Sequence, residues 1–223
     1  MKAAILIFPG TNREQDMRHA LTLAGFETEF LFCQEQNLPS DIDLVVLPGG
    51  FSYGDYLRTG AMSAVTPIMD AVKLFAKKGG KVLGVCNGFQ ILCEIGLLPG
   101  VLMHNQNGRF ICNTQRLRIE NCHNDFMSDY QDGQHIDIPI AHGEGNYFAD
   151  EVTLARLEKE KRIILRYADN PNGSQNDIAG IISEDGNVVG MMPHPENHVD
   201  SLHQNQDGLA FFASLAKSLK QAA

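Results

Sequence analysis

No Cys-x-x-Cys pair occurs in the 223 residues, and the five cysteines (Cys33, Cys86, Cys93, Cys112 and Cys122) are odd in number and irregular in spacing. That argues against a disulfide framework or a structural zinc site, and for a reducing, cytoplasmic setting. No apolar run approaches the roughly 18 residues of a membrane span. No basic run exceeds "KK" or "KEKR", and 18 Lys+Arg against 27 Asp+Glu give a formal charge of −9. The chain therefore lacks an electrostatic footprint for nucleic acid. The phosphate-binding pattern G-x-x-x-x-G-K-[ST] is missing as well, which removes a P-loop nucleotide site. With no internal repeat, low-complexity tract or linker, residues 1–223 read as one domain.

What is present is an ordinary globular balance, 43% hydrophobic and 20% charged, with enough apolar material for a core. The opening "MKAAILIFPGTN" has only a short apolar run before Pro9-Gly10 and reads as a first core strand, not a secretory signal. The continuous apolar run at 3–8 predicts a strand buried on both faces, and the stretches 27–33, 43–48 and 81–85 predict three more. Between them, Met17, Ala20, Leu21 and Ala24 fall at helical spacing before Gly25, and residues 59–80 predict a helix with Pro67 inside it. Strands alternating with helices imply βαβ units and a mostly parallel sheet. The second half changes texture. Residues 108–121 and 135–148 alternate apolar and polar over short runs, as antiparallel or mixed strands with one solvated face do. A short helix over "EVTLARLEKEKR", a strand at "IILRYAD", a hairpin turning at Asp185-Gly186 and a C-terminal helix complete the reading. The predicted class is α/β: a mostly parallel central sheet flanked by helices, with a smaller mixed or antiparallel sheet region in the second half.

Function gathers at the carboxyl ends of strands in open parallel sheets. Cys86 stands at one, inside Gly84-x-Cys86-x-Gly88. A sharp strand-to-helix turn leaves little room two residues before and after a nucleophile, and glycine removes the Cβ clash. A helix starting near Gly88 directs N–H groups and its positive dipole end at the sulfur, favouring thiolate. The N–H of Asn87 is placed to stabilise an oxyanion. The other four cysteines read as small buried hydrophobes. A second glycine loop, "LPGGFSYGDYLRTGA", follows another strand. There Gly49 and Gly50 let N–H groups converge on an anion and supply a second oxyanion donor.

A cysteine nucleophile needs a histidine oriented by a third group. Two of the eight histidines sit in a His-x-Glu arrangement: His142 with Glu144 in "HGEG", and His194 with Glu196 in "MMPHPENH". In an extended segment, residues two apart share a side, so either pair could present an imidazole backed by a carboxylate. The second pair is favoured, since it lies just past a strand and Pro193 and Pro195 hold the segment extended. The glycines of "HGEG" suit a mobile loop that contacts a substrate through its backbone. His19, His104, His123, His135, His198 and His203 read as structural or solvated.

Taken together, "GVCNGFQIL" and the later "PHPE" resemble the class I, triad-type glutamine amidotransferases, whose motif is G-x-C-x-G-x-Q followed by His-x-Glu. Gly84, Cys86, Gly88, Gln90, His194 and Glu196 fill it without a gap. The longer strings "FPGTN", "LPGGFSYGDYLRTGA", "NGRFICN", "AHGEGNYF" and "MMPHPENH" are similar to the glutaminase subunits of phosphoribosylformylglycinamidine synthases that work with separate small and large partners. The resemblance runs from about residue 4 to the C-terminal helix, with departures at Asn146 and in "CHNDF" (122–126). It implies a flavodoxin-like type 1 amidotransferase domain that hydrolyses L-glutamine to glutamate and ammonia. Cys86 is implied as nucleophile, His194 as proton shuttle and Glu196 as its orienter, through a γ-glutamyl thioester. The backbone near Gly50-Phe51 and at Asn87 would hold the oxyanion. Gly49, Gly50, Gln90, His142, Gly143 and Glu144 are implied to hold the glutamine. No cofactor is expected on this chain; ATP and Mg2+ belong to the large synthetase subunit, which with a small accessory subunit is the expected partner in purine synthesis. Three rivals stay open here: an amidotransferase of another pathway, a self-sufficient γ-glutamyl hydrolase, and a non-catalytic binding module on the same fold.

Overall fold

The structure, a computed structural model, describes residues 1–222. Strand β1 (Lys2–Ile7) is the apolar run "KAAILI", and Ala3 to Leu6 are wholly buried. Helix α1 (Glu14–Leu23) buries Met17, Ala20 and Leu21, one stripe at helical spacing. It ends where Gly25, at φ 88°, turns its N–H back to the Thr22 carbonyl (3.0 Å). Strands β2 (Glu27–Phe32) and β3 (Leu44–Leu47) follow, and β3 is fully buried.

The single helix expected over residues 59–80 is two: α2 (Ala61–Ala64) and α3 (Ile68–Lys77). Proline lacks an N–H and crowds the preceding turn, so Pro67 stands at the start of α3 instead of inside a longer helix. Strand β4 (Lys81–Val85) leads into α4 (Asn87–Glu94). Then come β5 (Val101–Met103), β6 (Ile111–Ile119), β7 (His135–His142) and β8 (Asn146–Phe148). The strand expected over 135–148 is therefore broken at residues 143–145. Helix α5 (Glu151–Lys159) is capped by Asp150, whose carboxylate accepts from the Thr153 N–H (2.8 Å). Strands β9 (Ile163–Tyr167), β10 (Ile178–Ile182) and β11 (Val188–Met191) and helix α6 (Leu209–Ala222) complete the chain.

Nine strands form one sheet in the order β2-β1-β3-β4-β11-β10-β9-β6-β7. The five from β2 to β11 are mutually parallel, and the remaining four continue the sheet antiparallel. The alternating second half thus extends the parallel sheet, and only β5 and β8 stand apart as a two-stranded antiparallel pair. Strand order reverses between β1 and β3, and such a switch opens a crevice at the carboxyl ends. The segments beginning at Phe8, Pro48, Cys86 and Met192 all leave the sheet at that end.

At the opposite end, buried Asn187 ties β11 to α3. Its side-chain amide donates to the carbonyls of Ala76 (2.8 Å) and Gly80 (2.9 Å). The first lies in the last turn of α3, where it also accepts from the Gly79 N–H (2.9 Å), and the second in the link to β4. Asn187→Ala should destabilise the fold by about 1–3 kcal/mol, read as a lower urea midpoint. An unchanged midpoint would show that water replaces the amide at no cost.

Candidate active site

Cys86 sits between β4 and α4 with φ 51° and ψ −106°. A non-glycine residue holds a positive φ only where its surroundings over-determine it. Here the Cys86 N–H donates to the Met191 carbonyl (2.7 Å), and its own carbonyl accepts from the Gln90 N–H (3.2 Å). The flanking glycines are packing requirements. A Cβ on Gly84 would lie 2.6 Å from the Gly88 carbonyl oxygen, and one on Gly88 would collide with the Leu47 carbonyl of β3. Cys86 is the N-cap of α4, next to the first-turn N–H groups that a helix leaves without internal partners, and the Asn87 N–H makes no hydrogen bond within the described residues.

His194 and Glu196 meet as expected, but not on an extended segment. Pro195–Asn197 forms a 3₁₀ turn, and the turn brings Glu196 Oε1 to 2.7 Å from His194 Nδ1. Both side chains are buried, at 2% and 1% exposure. The His194 N–H is fixed to the Pro139 carbonyl of β7 (2.8 Å). Burial works against a charged imidazole. The Glu196 carboxylate and then the Cys86 sulfur outweigh it, and the pKa rises to about 10. His194 is thus an imidazolium at neutral pH. Its Nε2 is buried and makes no hydrogen bond in the resting chain, which leaves that proton free to be given to a reacting atom. Gly49 contributes space, since a Cβ there would lie 2.7 Å from His194 Cε1.

The other His-x-Glu pair is split. His142 Nδ1 bonds Asn105 Oδ1 (3.1 Å), while Glu144 accepts from the Thr59 hydroxyl (2.8 Å) and lies 3.3 Å from His104 Nδ1. Burial and then the nearby His194 push the His142 pKa down to about 4, so this imidazole is neutral. The site therefore holds two imidazoles in opposite charge states.

A cavity of about 270 Å3 opens onto Cys86, with Gly50, Gln90, His142, Gly143 and Glu144 in its walls. That is near the lower end of the roughly 300–1,000 Å3 range of ligand pockets, the size of a small metabolite. A second hollow of about 140 Å3 shares Gly50, Phe51 and Cys86 and adds His194. The sulfur thus borders both. A larger hollow of about 510 Å3 lies beside Arg156 and Arg162, but those guanidiniums are already paired with Glu184 and Glu160, and no cysteine or histidine lines it.

Several expected roles shift. The Phe51 N–H, expected as an oxyanion donor, is bonded to the Gly10 carbonyl (2.9 Å). This contact joins the carboxyl-end loops of β1 and β3 and leaves the N–H groups of Gly50 and Asn87 as the free donors. The Gln90 amide accepts from Asn87 Nδ2 (2.9 Å) and donates to the Glu144 carbonyl (2.6 Å), so it braces the "HGEG" turn from the cavity wall. That turn is not loose: the Asn105 amide bonds the His142 carbonyl, the Gly145 N–H and the His142 ring. Asn105, Thr59 and Asp55 carried no role in the sequence reading, and His104 read as structural or solvated. Thr59 and Asp55 both lie in the singled-out string "LPGGFSYGDYLRTGA". Of the four cysteines expected to be buried, Cys33 is, Cys93 and Cys122 are partly so, and Cys112 is exposed.

The chain matches the CobB/CobQ-like glutamine amidotransferase domain family over residues 1–210. It is 56% identical to phosphoribosylformylglycinamidine synthase subunit PurQ of Bradyrhizobium diazoefficiens, with 100% of each chain covered. With the PurQ subunit of Rhodospirillum rubrum it shares 53%, over 98% of this chain and 100% of that one. Among solved structures, PurLQS from Thermotoga maritima superposes with a TM-score of 0.90 at 42% identity, covering 98% of both chains. The glutaminase domain of CTPS from Trypanosoma brucei, at 12% identity and a TM-score of 0.65, shares the fold.

The charge on His194 rests on Glu196, which gives a direct check. Glu196→Gln keeps the shape and removes the carboxylate, so His194 should release its proton at a lower pH, with proton affinity reduced about tenfold or more. Imidazole resonances followed by NMR through a pH titration report this. A titration unchanged from wild type would mean that another group holds the imidazolium.

Proposed function

The chain belongs to the CobB/CobQ-like glutamine amidotransferase domain family, and on that premise we propose that it is the glutamine-hydrolysing subunit of a phosphoribosylformylglycinamidine synthase. The observation that carries the chemistry is the cysteine on a strained strand-to-helix turn, bordering one hollow with a buried, carboxylate-backed imidazolium and another of amino-acid size. Identity over the full length of the PurQ subunits supports the pathway.

In this reading the Cys86 sulfur attacks the side-chain amide carbon of L-glutamine. The carbonyl oxygen becomes an oxyanion, met by the free N–H groups of Asn87 and Gly50. His194 Nε2 gives its proton to the departing nitrogen, ammonia leaves, and a γ-glutamyl thioester stays on Cys86. The neutral imidazole then takes a proton from water. The hydroxide attacks the thioester carbon, the C–S bond breaks, and glutamate is released with the sulfur restored as thiolate. Glu196 keeps the imidazole in one tautomer and orientation throughout. Gln90 and the braced "HGEG" turn shape the wall along which the glutamine lies.

The ammonia passes to a large synthetase subunit, assembled with a small accessory subunit, which converts formylglycinamide ribonucleotide to the amidine. ATP and Mg2+ act on that partner. The whole chain works as one domain, and the free cysteines fit a reducing cytoplasm. No helix of the described residues is long and apolar enough to cross a membrane.

The test combines the chain with the two partner subunits, ATP, Mg2+ and formylglycinamide ribonucleotide. Cys86→Ala should lower glutamine-dependent product by about a thousandfold or more and leave ammonia-dependent product intact. Surviving glutamine-dependent synthesis would refute the nucleophile. Loss of both activities would mean that Cys86 serves the assembly and not the chemistry.

A further inference from the structure

The loop after β3 carries a run of strained backbone. Tyr53, Asp55 and Leu57 have φ of 54°, 57° and 72°, values that non-glycine residues hold only under constraint. The constraint delivers the Asp55 carboxyl into the wall of the cavity that contains Cys86. There Asp55 Oδ1 is buried without a hydrogen-bond partner. Burial, and then the Glu144 carboxylate on the facing turn, raise the Asp55 pKa to about 6. A third acceptor borders the same space. His142 is 2% exposed and neutral, its Nδ1 is engaged by Asn105, and its Nε2 has no partner.

An unpaired carboxyl beside a second carboxylate is unfavourable, so this wall is complementary to a cation rich in N–H donors. The α-ammonium of an amino acid is such a cation. Building on the glutaminase reading, we propose that Asp55, with Glu144 beside it, anchors the α-ammonium of the substrate and makes the site selective for α-amino acid amides over the same amide chain without the amino group. The exposed Arg109 on the same wall suits the α-carboxylate. The buried end of the cavity then receives only the side-chain amide. Glu144 is spoken for by Thr59 and His104, which leaves Asp55 Oδ1 as the free acceptor.

The experiment uses the assembled synthase and two substrates, L-glutamine and 4-carbamoylbutanoate, which is glutamine lacking its amino group. Wild type should prefer glutamine by about a hundredfold or more in kcat/KM. Asp55→Asn should raise KM for glutamine about thirtyfold or more, leave kcat within a few fold and collapse the preference. Asp55→Glu should restore part of it, and ammonia-dependent synthesis should be unchanged. A measurement free of any variant runs beside these. The wild-type preference should fall as pH drops through about 6, where Asp55 takes up a proton, because kcat/KM reports the free enzyme. Of the other groups facing Asp55, His142 stays neutral there. Arg109 faces the carboxylate that both substrates share, and the Glu144–His104 pair is still present in Asp55→Asn, so the pH profile of that variant, expected flat, separates it from Asp55. A preference that persists in Asp55→Asn, or that is flat in wild type across this pH range, overturns the proposal while glutamine hydrolysis stands. Absence of glutamine turnover in wild type overturns the glutaminase reading and this proposal with it.

Discussion

Three backbones press on the turn at Cys86. Strand β3 comes so close to the start of α4 that residue 88 has no room for a side chain, and the helix start in turn denies one to residue 84. The cysteine between them is left with a left-handed φ and an N–H tied to β11. Relaxing that angle would require moving a buried helix off a buried sheet, at a cost far above the strain of one residue. The sulfur therefore stands at the sheet's carboxyl end, against a helix N-terminus, with a fixed direction.

Everything around the sulfur follows from where that turn points. The loop after β1 locks onto the loop after β3 through Gly10 and Phe51, which consumes one N–H and leaves others facing the site. The loop after β11 brings His194 across a side-chain-free gap at Gly49. The antiparallel strands contribute as well: β7 supplies the carbonyl that fixes His194 and ends in His142. The nine-stranded sheet thus lets residues from both halves of the chain share one crevice.

Charge in this crevice is set residue by residue. Two buried imidazoles differ in state because one faces a carboxylate and the other an amide and a neighbouring positive ring. A buried charge is tolerated when paired and suppressed when not. The same rule makes Asp55 informative, since its carboxyl lies half-buried beside another acid with an oxygen that meets no partner. One edge of the site holds a carboxylate-backed imidazolium, and the other a carboxyl oxygen with no partner.

The amino-acid sequence by itself determined the strands of the parallel half, because short apolar runs such as "AAILIF", ended by turn residues and alternating with helical stretches, fit a sheet interior. It also determined the elbow, because glycines two before and two after a cysteine mark a crowded turn, although the backbone that crowds Gly88 comes from β3, far along the chain. The His-x-Glu spacing was local, and so legible, although the turn that joins His194 to Glu196 is 3₁₀ and not extended. Residues 59–80 read as one helix, and the folded chain breaks it before Pro67. The sequence favoured His194 with Glu196 through the strand end and the flanking prolines; tertiary structure decided that the other pair splits, because His142 and Glu144 are each claimed by partners far along the chain, at Asn105 and Thr59. Tertiary structure alone decided that the Phe51 N–H was spent, and that Asp55, an ordinary loop residue in the text, lines the same cavity as Cys86. Spacing reports contacts within a segment. Contacts across a sheet depend on register and on the close approach of loops, and those exist only once the chain has packed.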